Sequence, residues 1–439
     1  MKMYDIIQKK KQGQVLTTQE INYVVEKFTS HDIPKYQMSS LLMAICLNGM
    51  TMEETVALTM AMTNSGETLD LSSLPNKTID KHSTGGVGDK TTLIVGPILA
   101  ALGLSVAKMS GRSLGHTGGT VDKLESIPGL RMDFSPKEFL EIAASTGICL
   151  ASQTANLVPA DKLIYNLRDQ TATVDSIPLI AASIMSKKLA AGAQHILLDV
   201  KWGRGAFMKN LDSARELAKT MVEIGNRCGR KTAAVITDMS APLGYAVGNA
   251  VEVREAVQIL SAHPQAPKDI TELSIKLSAY ALQLVEGGTF AQCCSRVEAV
   301  IENGAALQKF KDMVVAQGVK NHVAEKLMEI FAADVGLPVN AKKSGYVTAI
   351  DAEAVGAIAG DLARGDAYST KIRHLSGALV IAKVGDAVQE AMPLAVLCIQ
   401  DAATEKNDMA TLVERLHSAF TISDTPPPEI PLICEVIGL

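Results

Sequence analysis

The chain has 439 residues, 47% apolar and 20% charged. At ~150 residues per domain this predicts about three domains or two large ones, and it excludes both a small single module and a disordered chain. Lysine and arginine total 42 against 47 acids, a net charge of -5; with no basic run to neutralise a phosphate backbone, nucleic acid is excluded as the main partner.

The start, Met1-Lys2-Met3-Tyr4-Asp5-Ile6-Ile7, has no apolar h-region before a polar segment. No signal peptide is therefore expected, and a cytoplasmic location is. Residues up to about 66 read as helices: Thr17 with Glu20 and Thr51 with Glu54 form capping boxes, and Gly13, Gly49 and Gly66 close the helices. From Ile79 the pattern changes to short β-like runs, each followed by a glycine loop and a helix: Ile79-Asp80, Ser105 to Met109, Ile196 to Val200 and Thr232 to Thr237. The longest uncharged stretch, Thr91 to Ala107, is interrupted by Gly96, Pro97 and Gly103. It falls short of the ~20 apolar residues of a membrane span, so no membrane partner is expected. Ser135, Pro136 and Glu138 start a helix that Gly147 ends.

Between Pro159 and Gly192 the chain reads helical again, and Ile177 to Met185 is apolar almost all round, which suits a segment returning to the N-terminal helices. Helical patterns follow from Leu211 to Cys228 and from Val251 to about Val335, and strands at Tyr346 to Ile350, Ala378 to Val384 and Pro393 to Ile399. The expected class is α/β. A discontinuous helical domain (1–66 and 159–193) joins a mixed-sheet α/β domain (67–158 and 194–335) and a small C-terminal α+β domain (336–439). The seven cysteines are odd in number, include the adjacent Cys293 and Cys294, and form no C-x-x-C. Buried thiols are expected rather than a disulfide frame, and the histidines other than His82 show no metal-ligand spacing.

Two segments carry chemistry. Lys81-His82-Ser83-Thr84-Gly85-Gly86-Val87-Gly88-Asp89 follows a strand and opens a helix. Free N–H groups at a helix start, glycines that allow close approach, two hydroxyls and a lysine make an anion cradle, although a plain strand-to-helix turn is the simpler reading of the glycines alone. The second, Ser110-Gly111-Arg112-Ser113-Leu114-Gly115-His116-Thr117-Gly118-Gly119-Thr120, runs on to Asp122 and Glu125. Its glycines and hydroxyls suit a second loop on the same ligand, whereas Arg112, Asp122 and Glu125 could equally be ion pairs that fix the loop.

With these spacings the two loops resemble those of pyrimidine nucleoside phosphorylases and the closely similar thymidine phosphorylases. The resemblance runs over nearly the whole chain, through Pro159-Ala160-Asp161-Lys162, Tyr165, Leu167-Arg168-Asp169, Ser176 to Ile180, Ser183 to Lys188, and Gly205 to Lys209. It implies a dimer through the helical domains and an active site between the first two domains. The implied reaction is reversible phosphorolysis of uridine, thymidine and deoxyuridine, with inorganic phosphate as co-substrate and no required cofactor. Carried over by residue, phosphate would be held by Lys81, Ser83, Thr92, Ser110 and Thr120, with Lys108 at the edge. The base would be held by Tyr165, Arg168, Ser183 and Lys187, with His82 near O2. His82, Arg168 and Lys187 then form the catalytic set, because negative charge builds on the leaving pyrimidine and donors aimed at it stabilise the transition state.

Four positions bear on details. Lys108 stands where strict thymidine phosphorylases typically carry Met, so both ribose and deoxyribose are expected to be accepted. Ser113 and Arg204 replace smaller family residues, and Ser113 is expected to need a positive φ. Lys90 replaces a small residue, often Thr, at a potassium site that the resemblance places among Gly88, Leu243, Ala246 and Glu255. A lysine has no acceptor, so Lys90 is expected to stand in for the ion, the alternative being a solvent-facing Lys90 with potassium still bound. The rivals to the main reading are an anthranilate phosphoribosyltransferase-like enzyme, which needs magnesium, and a nucleoside- or phosphate-binding protein without turnover.

Overall fold

The computed structural model describes residues 1–112, 118–154, 156–329, 335–364, 372–400 and 408–439. It opens with helices α1 (Met3–Lys11), α2 (Thr18–Thr29), α3 (Lys35–Asn48) and α4 (Met52–Thr63). Both expected capping boxes form, at Thr17 and Thr51. The Glu54 carboxylate does more than cap α4: it also accepts from the buried Lys10 ammonium (2.8 Å) and the Leu16 N–H (2.7 Å), which pins α1 to α4.

Strand β1 (Ile79–Ser83) leads into α5 (Thr91–Ala101), then β2 (Val106–Ser110), α6 (Thr120–Leu124), α7 (Pro136–Thr146) and β3 (Ile148–Ser152). The uncharged stretch is explained by α5, which is buried from Thr91 to Ala100 on every side. Among the described residues no helix is long and apolar enough to cross a membrane. The capping box at Ser135 and the left-handed Gly147 bound α7 as expected. Strand β3, by contrast, escapes the sequence pattern, because Ile148–Ser152 runs straight out of the helix stop. Helices α8 (Pro159–Gln170) and α9 (Ile177–Ala190) return to the first helices, with α9 packed between α4 and the later α10 (Leu211–Arg227). That double contact is why α9 is apolar almost all round.

The α/β unit continues through β4 (His195–Trp202), α10, β5 (Lys231–Asp238), β6 (Ala246–Gly248), α11 (Asn249–Leu260), α12 (Lys268–Glu286), α13 (Phe290–Glu302), α14 (Ala305–Ala316) and α15 (Asn321–Glu325). Strands β1, β4 and β5 pair in parallel, and the parallel pair β2 and β3 lies beside β1 through the Thr78 to Ser105 bridge. The carboxyl ends of β1 and β2 therefore open side by side at one edge, the place where open α/β sheets bind ligands.

The C-terminal part comprises β7 (Val335–Asn340), β8 (Gly345–Ile350), α16 (Ala352–Arg364), β9 (Gly377–Val380), β10 (Ala387–Val388), β11 (Pro393–Ile399), α17 (Met409–Ser418), β12 (Phe420–Ser423) and β13 (Ile433–Ile437). Its sheets are antiparallel, but the two units exchange strands. The short β6 joins β9 in the C-terminal sheet, while β13 returns to pair antiparallel with β5. The last strand thus belongs to the α/β sheet rather than to the tail domain, a choice of partner that strand periodicity alone does not encode.

Candidate active site

The first loop is shaped by close approach. Gly88 has φ +72°, and a Cβ there would lie 2.3 Å from the Leu243 carbonyl oxygen, so no side chain fits. At the end of β1 the Ser83 hydroxyl donates to the Asp89 carboxylate and accepts from the Gly85 N–H (3.1 Å). Asp89 in turn accepts from the N–H (3.2 Å) and hydroxyl (2.5 Å) of Thr91, which fixes the start of α5. Burial pushes the Asp89 carboxyl up, but Lys201, Lys81 and Lys123 outweigh it and hold the group well below the usual range.

Asp80 sits at the centre of the second group. Fully buried in β1, it accepts from Lys108 of β2 through one oxygen (2.9 Å) and from Lys188 of α9 through the other (2.9 Å). Two ammonium groups share one carboxylate, so one positive charge is left over. The cost falls on Lys108: burial, with Lys188 and Lys81, pulls it down to about 8 against the pull of Asp80. Burial also pushes His82 well below its ordinary value, helped by Lys188 and Lys108, so at neutral pH its imidazole is uncharged. It can donate a neutral N–H; it is not an imidazolium acid.

His82, Ser83, Thr92, Lys108, Ser110 and Thr120, all expected from the sequence, line one cleft together with Lys188 and Gln153. The Ser110 hydroxyl is buried there without a partner among the described residues, an open donor beside surplus positive charge. Lys81 does not line the cleft. Strand alternation gives it the face opposite Asp80 and His82, and its ammonium rests on Asp199 (2.8 Å) and on the Thr91 hydroxyl.

The residues expected at the base form a second group, on α8 and α9. Lys187 donates to Asp161 (2.5 Å) and Ser183 (3.2 Å). Arg168 is 1% exposed and donates to the carbonyls of Thr173 (3.1 Å), Val174 (2.7 Å) and Leu179 (3.1 Å), with its guanidinium 5.8 Å from the Tyr165 ring centroid. It therefore clamps the turn between the two helices. None of these four lines the cleft in this structure; α9 links the groups, since Lys188 beside Lys187 does.

A profile for the glycosyl transferase family, helical bundle domain, matches residues 4–66, and one for its a/b domain matches residues 75–307. Pyrimidine-nucleoside phosphorylase of Geobacillus stearothermophilus is 47% identical over 440 residues, covering 100% of both chains. The chain belongs to the pyrimidine-nucleoside phosphorylase family. The relative of that name from Bacillus subtilis is 48% identical over 90% of this chain and 92% of its own. Anthranilate phosphoribosyltransferase from Thermus thermophilus aligns with TM-score 0.58 at 19% identity, over 71% of this chain and 99% of that one. That likeness is one of fold alone.

Within this member of the pyrimidine-nucleoside phosphorylase family, the second loop is tied down as an ion pair would do it. Arg112 donates to both Glu125 oxygens (2.6 and 2.8 Å) and to Asp122 (3.0 Å). Ser113 and His116, with the positive φ expected at Ser113, lie outside the described residues. Arg204 reaches Asp351 of the C-terminal unit (3.6 Å), and the Trp202 indole donates to Cys434 Sγ (3.2 Å). Sequence reasoning gave no individual role to Asp80, Lys188, Asp89 or Asp199. Asp80 did leave a signal, since a carboxylate inside an apolar strand run must find cations when buried.

Proposed function

We propose that the protein catalyses reversible phosphorolysis of pyrimidine nucleosides, uridine, thymidine and deoxyuridine, to the free base and a pentose 1-phosphate. The observation that carries this reading is the cleft at the ends of β1 and β2, where an unpartnered Ser110 hydroxyl stands beside the Lys108–Asp80–Lys188 group with its unbalanced positive charge. Such a wall suits a phosphate dianion.

In the proposed step a phosphate oxygen bonds to C1′ while the C1′–N1 bond breaks and its electron pair moves into the pyrimidine ring. The proton of hydrogenphosphate ends on the base, so charge and atoms balance. His82 donates a neutral N–H toward O2 of the leaving base, and Lys187 and Arg168 with Tyr165 and Ser183 hold the base from the helical domain. No cofactor beyond phosphate is needed in this scheme. Assembly as a homodimer through the helical domains is supported by the exposed Tyr4, Tyr36 and Leu47 on α1 and α3, and a cytoplasmic setting by the free cysteines.

The test is to incubate the protein with uridine, thymidine or cytidine, with and without phosphate and magnesium, and to follow free base. Phosphate-dependent release of uracil and thymine without magnesium is expected, with cytidine poor because its 4-amino group sets donors against donors. Absence of base release at every phosphate concentration, with binding retained, would establish the binding-protein reading instead.

A further inference from the structure

Lys90 is among the largest fully buried side chains of the protein, 1% exposed. A buried ammonium is costly unless each of its donors is met, and here they are. Its Nζ donates to the carbonyl of Ala246 (2.8 Å), to the carbonyl of Leu243 (3.2 Å) and to the Glu255 carboxylate. Three donors meet three oxygens. The other Glu255 oxygen is occupied by the N–H groups of Tyr245 and Ala246, both at 2.9 Å.

The surrounding backbone is built around this contact. Gly244 has φ +68°, and a Cβ there would stand 2.2 Å from the paired Glu255 oxygen and 3.0 Å from the ammonium. Gly88, two residues before Lys90, presses against the same Leu243 carbonyl. Two main-chain carbonyls and one carboxylate, all oxygen and with a single negative charge, are the ligand chemistry of a hard monovalent cation. The potassium ion that the family resemblance implies does not fit these residues. The ammonium already fills the oxygen cluster, and a second cation there would leave two positive charges on one carboxylate.

We propose that Lys90 is a built-in replacement for that ion. A tethered charge joins the start of α5, and with it the anion loop, to the Leu243–Ala246 segment, from which β6 crosses into the C-terminal sheet. The protein then holds its anion loop without drawing a cation from solution. The inference rests on the phosphorolysis reading only for its activity readout, and melting supplies a readout that does not depend on turnover.

The experiment compares the full chain in KCl, NaCl and choline chloride at equal ionic strength. Melting temperature should agree among the three salts, and uridine phosphorolysis should agree to within about twofold, a small fraction of the tenfold that 1.36 kcal/mol represents. Lys90→Thr removes the ammonium, adds a hydroxyl acceptor and leaves Glu255 buried without its partner. In NaCl or choline it should melt lower and lose roughly tenfold or more in activity, and KCl should restore both. Lys90→Met fills the space without charge or acceptor and should not recover in KCl. A wild-type melting temperature or rate that rises strongly with KCl but not NaCl would overturn the proposal. So would a Lys90→Thr protein that potassium cannot restore, including one that folds in neither salt. If no variant releases base while melting still separates the salts as expected, the catalytic reading fails and the cation replacement stands.

Discussion

Raising the pH through about 8 should take the charge off Lys108 and weaken the hold on phosphate. Below that pH, Lys108 and Lys188 with Asp80 leave one net positive charge at the cleft; above it they leave none. The groups facing Lys108 are Asp80, Lys188, His82 and Lys81, and of these His82 is already neutral. A unit charge ~5 Å from a phosphate charge contributes about 3 kcal/mol at an effective dielectric near 20, and ions and water in an open cleft reduce this to about 1–2 kcal/mol. Counted per phosphate dianion, because inorganic phosphate loses its second proton near neutral pH, the specificity constant for phosphate should therefore fall roughly five- to thirtyfold between pH 7 and 9.5. Measured alongside, Lys108→Met should start low and show no inflexion near 8. It should also shift the ratio of uridine to deoxyuridine turnover, since a thioether cannot donate to a 2′-hydroxyl. A flat wild-type profile, or the same inflexion in Lys108→Met, would refute the reasoning. The stability trend has the opposite sign. Lys108 is less basic folded than its ordinary 10.5, so the unfolded chain binds more protons between those values, and its contribution to stability rises with pH across that window.

Ser110→Ala should leave the melting temperature within about a degree, because the hydroxyl has no protein partner to lose, yet raise the KM for phosphate roughly tenfold or more, the loss expected for a hydrogen bond to a charged group; a lower melting temperature with unchanged KM would count against it. His82→Ala should lower kcat about 10²-fold or more while phosphate binding survives. In the free wild-type protein the His82 ring, followed by NMR, should titrate well below the ordinary 6.5, because burial and two lysines disfavour its charged form. Asp80→Asn leaves Lys108 and Lys188 buried without their shared counter-charge, a loss of about 3–5 kcal/mol. Its melting temperature should fall by several degrees, and added phosphate should recover more of it than chloride does.

What was legible in the sequence was local. Capping boxes at Thr17, Thr51 and Ser135 lie within three residues of their partners, and each forms as expected. The first glycine loop sits where a strand ending and a helix start put it, and six of the expected cleft residues line one cavity because they lie at the ends of two neighbouring parallel strands or in the segments that follow them. Long-range electrostatics was not legible. Nothing local marks Lys188, one of two adjacent lysines near the end of α9, as buried, yet it is 2% exposed and finds Asp80 across 108 positions of chain. Nothing local shows that Arg168, next to Asp169 in the chain, turns inward to three carbonyls. Strand β13 reads as part of the tail and joins β5 instead, since the burial pattern of a strand does not name its neighbour.

Lys188 lines the cleft and Lys81 does not, and the two also differ in how their buried charges are balanced. Asp199 takes Lys81 (2.8 Å) and Lys201 (2.9 Å) on one oxygen and the Thr237 hydroxyl (2.7 Å) on the other. That group has the same two-to-one excess of cations as the one around Asp80, but Asp89 lies close enough for Lys201 and Lys81 to hold its carboxyl well below the usual range. With Asp89 counted, two carboxylates answer Lys81 and Lys201, and Asp238 adds a third beside Lys201, so an incoming phosphate gains little from this group. No second carboxylate answers Lys108 and Lys188 among the groups that shift Asp80 and Lys108, so the attraction is concentrated at their end of the cleft. If Lys81 keeps these partners when phosphate is present, it should act through Asp89 and the Ser83 hydroxyl that Asp89 orients, as a positioning residue. Its removal should disturb the loop and lower the melting temperature, whereas removal of Lys188 should also reduce the ionic-strength dependence of phosphate binding, because of these two lysines Lys188 is the one that lines the cleft beside Lys108.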